Sequence, residues 1–331
     1  MTAIRRILAA VKDPGARRLP GVRKAARLAA ALGAELVLYH ALAEPLYVGG
    51  VDGDLSPLYD KPPDIEQRIR EAQRARLERI ARRLRRTGLK VSVSAEWDYP
   101  AYEAIVREAC RVGAGLIVAE QHPGRHLAAG LLHLNDWELL RLSPMPVLLV
   151  KQSRPFREPV ILAAVDPDHT YAKPMRLNQQ ILRLGAAVAR ALRGALHAGY
   201  AYVPLPLTAF SGGALSDEEV RGLEARAARS ARAKLQRTVR GVAIPRARQH
   251  ILGRHPVDAI AQLATRTRSS IVVMGAISRS GLKRLLIGNT AERVLDRLNC
   301  DVLIVKPAGL VKPPARSRRG ARYFGIQPRL Y

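Results

Sequence analysis

The chain has 331 residues, 48% of them hydrophobic, and 55 Lys and Arg against 28 Asp and Glu give a formal net charge of +27. That length suits two domains of about 150 residues, each able to bury its own core. The apolar runs are only of strand length, which excludes a helical membrane span, and Arg5 and Arg6 precede too short an apolar run for a secretory signal, so a cytoplasmic location is expected.

In chain order, Ile7 to Val11 reads as a fully apolar strand, Gly21 to Leu32 as a helix stopped by Gly33, and Glu35 to Ala41 as a second strand. Asp64 to about Arg86 predicts a long helix with Ile65, Ile69, Ala72, Leu77, Ile80 and Leu84 on its buried stripe and Thr87-Gly88 at its end. From Leu89 to Trp97 apolar and polar residues alternate, the period of an edge strand with one wetter face. A helix over Pro100 to Arg111, a strand over Leu116 to Ala119, a helix across Trp137 to Leu142 and a strand over Val147 to Lys151 complete the unit.

The unit then recurs. Ile7-Leu8-Ala9-Ala10-Val11 returns as Ile161-Leu162-Ala163-Ala164-Val165 at an offset of 154, and Val147-Leu148-Leu149-Val150-Lys151 as Val302-Leu303-Ile304-Val305-Lys306 at 155. The expected domains are residues 1–152 and 159–307, joined by the Pro-containing stretch Ser153 to Pro159. A basic tail over 308–331, with six Lys or Arg and no acid, is expected to be disordered. Strands alternating with helices imply right-handed crossovers and an α/β fold of two doubly wound, five-stranded parallel sheets ordered 3-2-1-4-5. The final strands, Val147 to Lys151 and Val302 to Lys306, are edges of matching type, and pairing them antiparallel would remove both exposed edges. Cys110 and Cys300 occupy unrelated places in the repeat and read as buried free thiols rather than a disulfide.

In a 3-2-1-4-5 sheet, ligands bind beside the first and fourth strands at their carboxyl ends. This brings Asp166, after Ile161 to Val165, next to Gly275, after the strand Ser270 to Met274. The loop that follows is punctuated by glycine and runs through Ser278 to Gly288, and Asn289 or Thr290 is placed to cap the next helix. Such a loop offers backbone N–H groups and a helix N-terminus to a phosphate, and equally suits an ordinary strand–helix connection. Asp166 can accept hydrogen bonds from a base or sugar, or cap the turn at Pro167. In the first unit Glu120 stands where alignment puts Gly275, and an anionic side chain there repels phosphate.

These motifs together, Ile-Leu-Ala-Ala-Val-Asp from Ile161, Gly-Asn-Thr-Ala-Glu from Gly288 and Cys-Asp-Val-Leu-Ile-Val-Lys-Pro from Cys300, resemble the universal stress proteins. The tandem arrangement, with Asn135-Asp136-Trp137-Glu138 in the first unit, is similar to their two-domain, E-type members. The resemblance covers residues 1 to about 307 and implies an adenine nucleotide alpha hydrolase-like fold. It implies an intramolecular pseudo-dimer, with homo-oligomerisation open, and a stress-responsive regulator or ligand sensor rather than a turnover enzyme. It further implies ATP held by a Gly-x-x-Gly-x9-Gly-Ser/Thr loop, which maps here to Gly275, Ser278 at the second glycine, Gly288 and Asn289 at the Ser/Thr, with Met274 and Thr290 flanking it as further candidate contacts. One nucleotide at most is expected, in the second domain, and an apolar-ligand cavity in the first stays open. Nucleotide hydrolysis is the enzymatic alternative.

Other signals point to less. Ser216 to Glu219 makes a capping box better than Ser211-Gly212-Gly213 makes a phosphate loop. His122, His126 and His133 have metal-ligand residue types, but Pro123-Gly124 breaks the helix that would align the first two, so no metal is predicted. No nucleophile elbow is present and no catalytic residue is assigned. Of the cations, 45 are Arg, a bias that reads first as composition, with nucleic-acid binding through the basic surface and tail as the alternative.

Overall fold

The computed structural model describes residues 4–42, 47–49, 55–57, 63–98, 100–121, 129–168, 176–203, 216–276, 289–307 and 314. The first half runs β1 (Arg6–Ala10), α1 (Pro20–Leu32), β2 (Glu35–Leu42), a small antiparallel hairpin of β3 (Tyr47–Gly49) and β4 (Leu55–Pro57), α2 (Pro63–Arg85), β5 (Val91–Trp97), α3 (Ala101–Arg111), β6 (Leu116–Glu120), α4 (Ala129–Leu142) and β7 (Val147–Val150). The second runs β8 (Val160–Ala164), α5 (Leu177–Ala191), β9 (Ala195–Tyr202), α6 (Asp217–Thr238), β10 (Gln249–Gly253), α7 (Pro256–Arg266), β11 (Ile271–Gly275), α8 (Asn289–Arg297) and β12 (Asp301–Val305). The hairpin was not foreseen, and α4 begins eight residues before Trp137.

The strands form one ten-stranded sheet ordered β10-β9-β8-β11-β12-β7-β6-β1-β2-β5. Each half has the 3-2-1-4-5 order, all parallel. The halves meet through antiparallel β12 and β7, with Val302 opposite Leu149 and Ile304 opposite Val147, so the two fifth-strand edges close on each other as their sequences predict.

Local chemistry explains the helix ends. Gly33 takes a left-handed φ of 64° after α1, and Gly88 one of 85° after α2, where the Thr87 hydroxyl donates to the Leu84 carbonyl at 2.7 Å. Ser216 and Glu219 form the predicted capping box on α6. On α2 the buried stripe is Leu77 and Ala81, with Ile80 and Leu84 packed beside it. Ala72 departs from expectation and is exposed, because half-buried Gln73 lies one turn before Leu77 and holds the inward position.

Helices α1, α2, α5 and α6 bury Val22, Leu77, Ile181 and Leu235 in one core layer on one face of the sheet. On the other, α3, α4, α7 and α8 bury Val106, Leu140, Val257 and Val294 in a second. The stretch between the halves is more than a tether, since Phe156 is buried in the first layer. Beside it lies a charged contact between the halves. Lys24 of α1 and Asp301 of β12, both buried, pair at 2.5 Å. The other Asp301 oxygen accepts the Lys151 and Gln152 N–H groups at 2.9 and 3.1 Å, and the Lys24 ammonium sits 4.7 Å above the Phe156 ring. Both cysteines are free, Cys300 buried and Cys110 half-buried, and burial pushes the Cys300 thiol up to about 11.

Candidate functional site

The site predicted in the second half lies at the carboxyl ends of β8 and β11, which are paired through Ile161 and Ile271 to Ala163 and Val273. Met274 is buried and Gly275 closes β11. A side chain on Gly275 has no room: its Cβ would lie 2.5 Å from Leu177 Cδ2 and 3.5 Å from Ile181 Cδ1. The first turn of α5 therefore fills the space beside this glycine, and a larger residue there requires the Leu177 side chain to shift.

Asp166 sits in the turn after β8. Its N–H donates to Asn178 Oδ1 at 3.0 Å and its carbonyl accepts from Asn178 Nδ2 at 2.9 Å, so one α5 side chain clamps both backbone groups. Asp166 Oδ1 accepts the Asp168 N–H at 3.1 Å, the turn-capping role foreseen beside the ligand role. Ser278 and Gly288 lie outside the described residues, as do the side chains of Asn289 and Thr290, the first two residues of α8. The structure thus brings Asp166, Met274 and Gly275 to one end of the sheet.

Beside this turn is a cluster that sequence reasoning missed. Asp168 accepts from the Tyr200 hydroxyl and from Lys234 Nζ, the latter at 2.7 Å, tying the β8 turn to β9 and α6. Burial and the Asp168 carboxylate push the Tyr200 hydroxyl well above its ordinary value. The only local signal was the Asp166-Pro167-Asp168 turn, since Tyr200 and Lys234 lie 32 and 66 residues away.

The first half differs at the corresponding strand end. Glu120, the last residue of β6, accepts the Gly21 N–H at 2.7 Å, on the second residue of α1. A Cβ on Gly21 would lie 2.7 Å from Glu120 Cγ. The two halves have exchanged bulk: acid on the strand with glycine on the helix in one, glycine on the strand with Leu177 on the helix in the other. Burial raises the Glu120 carboxyl, while the Gly21 N–H, Arg23 and Lys12 pull it back. Its oxygen sits at the positive end of α1.

His122 and His126 lie outside the described residues, as does the side chain of His133; among the described residues no group of three metal-ligating side chains forms, and no helix is long and apolar enough to cross a membrane.

Comparison with known proteins agrees with this architecture. The chain is 28% identical over 306 residues to Universal stress protein E of Escherichia coli K12, covering 90% of this chain and 92% of that one. It is 27% identical over 213 residues to a Universal stress protein E homolog of Haemophilus influenzae, covering 64% and 68%. Among solved structures, a functionally unknown protein of Pseudomonas aeruginosa PAO1 matches with a TM-score of 0.68 at 28% identity, covering 93% of this chain and 94% of that one. A putative universal stress protein of Pseudomonas aeruginosa UCBPP-PA14 matches with a TM-score of 0.67 at 27% identity, covering 93% and 95%. Residues 3–151 and 160–306 each match the universal stress protein family, and with both repeats covered the chain belongs to that family as a tandem, two-domain member.

Proposed function

We propose that this protein is a cytoplasmic, stress-responsive ligand sensor with one adenine-nucleotide site per chain, in the second domain, and without catalytic turnover. The observation that carries the reading is the contrast between the two strand ends. In the first half the Glu120 carboxylate already fills the N-terminal end of α1. In the second half Gly275 stands at the β11 end where the first half has Glu120, and the Asp166 turn beside it sits at the switch point where an α/β sheet binds ligands. Met274, Gly275, Ser278, Gly288, Asn289 and Thr290 would supply the remaining contacts. Two free thiols fit a reducing compartment.

Isothermal titration with ATP, with and without Mg²⁺, tests this reading. One nucleotide per chain is expected, lost in Gly288→Val and held or improved in Ser278→Gly. Two nucleotides per chain, or none at millimolar ATP, would overturn it.

A further inference from the structure

The two faces of the sheet differ in charge. Helices α1, α2, α5 and α6 carry 19 Lys and Arg against 8 Asp and Glu. Helices α3, α4, α7 and α8 carry 6 against 7. A compositional bias toward Arg spreads cations over both faces and does not separate them. Of the 19, Lys24, Arg70, Arg85 and Lys234 have acidic partners. The other fifteen are all Arg, all exposed, and without an ion-pair partner among the described residues. Helices α2 and α6 flank this face at its two ends, and the middle helices α1 and α5, which contain no acidic residue, add Arg23, Arg27, Arg183 and Arg190.

We propose that this four-helix face binds duplex nucleic acid through the phosphate backbones. Nine interstrand spacings of about 4.8 Å make the face about 43 Å wide, long enough for roughly 12 base pairs at about 3.4 Å each. Guanidinium groups suit phosphate because their planar forks donate two hydrogen bonds at once. None of the four helices contains an aromatic residue, so the face lacks the stacking platform that single strands use. The exposed large hydrophobic among the described residues is Val203, which lies off these helices, so the face has no apolar wedge to enter a lipid surface. Contacts to backbone rather than base edges make the binding independent of sequence.

The test is fluorescence anisotropy of a labelled 30-base-pair duplex with the full chain between 50 and 300 mM KCl. Log affinity against log salt should fall with a slope of several units, about 0.9 for each phosphate engaged. Substituting Arg74, Arg79, Arg229 and Arg232 by Gln, all exposed, should lower that slope by about 3.6 units and weaken binding at least tenfold at 100 mM KCl. Arg266→Gln with Arg293→Gln, on the opposite face, should change neither, and matching thermal melts of all variants should show intact folding. The proposal is overturned if the four-residue variant binds as well as the parent, or if the opposite-face variant loses as much. It is equally overturned if removing 308–331 abolishes binding, or if a single strand or phosphatidylglycerol vesicles bind more tightly than the duplex at equal salt.

Discussion

Lys151 and Lys306 are exchanged between the two halves: each leaves the last strand of its own half and donates to the carbonyls that end the last helix of the other. Lys151 Nζ reaches the Leu295 carbonyl at 2.6 Å and that of Leu298 at the end of α8, and Lys306 Nζ reaches those of Arg141 and Ser143, at 2.5 and 3.2 Å, at the end of α4. Leu298 and Ser143 stand 155 residues apart, as do the lysines, so the contacts obey the repeat. Each lysine nitrogen meets the negative end of a helix and donates to carbonyls that have no partner within it.

Burial, with Arg141 nearby, pushes the Lys306 ammonium down from 10.5 to about 7. The unfolded chain therefore holds this proton across pH 7 to 10.5 while the folded chain has released it, and stability rises with pH in that window, by at most about 1.4 kcal/mol per unit. Urea denaturation at pH 7 and 9.5 should show wild type gaining on Lys306→Met. A pH-independent difference between the two would contradict the burial of this charge.

Removing one partner of the Lys24–Asp301 pair strands the other in a dry interior. Asp301→Ala should cost about 3–5 kcal/mol in chemical denaturation, more than an exposed pair would. Lys24→Met combined with Asp301→Leu should recover a large part of that loss. Additive losses in the double variant would show that the pair is not coupled.

Gly275 separates packing from ligand binding. With a Cβ only 2.5 Å from Leu177 Cδ2, Gly275→Ala should destabilise the ligand-free protein by about 1–3 kcal/mol, and Leu177→Ala in the same chain should relieve part of it. An unchanged melting temperature in ligand-free Gly275→Ala would assign the glycine to the ligand alone.

Glu120→Ala should remove an anchor at the start of α1 and cost about 1 kcal/mol, the usual value of a lost helix cap. Nucleotide stoichiometry in the same variant, read by titration, should stay at one. A second nucleotide appearing would mean that this carboxylate alone closes the first domain.

The fold was legible wherever burial imposes a pattern on neighbouring residues. Strands such as Ile7 to Ala10 and Leu116 to Ala119 are covered on both faces and read as unbroken apolar runs, while β5, at the sheet edge, alternates. The seam was legible because Val147 to Lys151 and Val302 to Lys306 repeat one edge. The candidate site was legible in its strand ends, Asp166 and Gly275, because topology places them. Its supporting contacts were not. Tyr200 and Lys234 lie 32 and 66 residues from Asp168, and nothing local to either announces it. Leu177 reads as an ordinary helix residue until the β11 end is packed against it. The separation of charge was hidden for a similar reason, since it emerges only once each helix is assigned to a face.

The antiparallel seam between β7 and β12 also frees the two halves from each other's sequence. In a dimer of identical chains every substitution appears twice, once on each side of the axis. Here each change appears once. Glu120 can close one strand end while Gly275 keeps its counterpart free of acid, and Asp301 can take Lys24 while the residue 155 positions earlier is Pro146. One chain thus carries two halves on a single pseudo-symmetric sheet, and each can change its own strand end while the shared seam stays as it is.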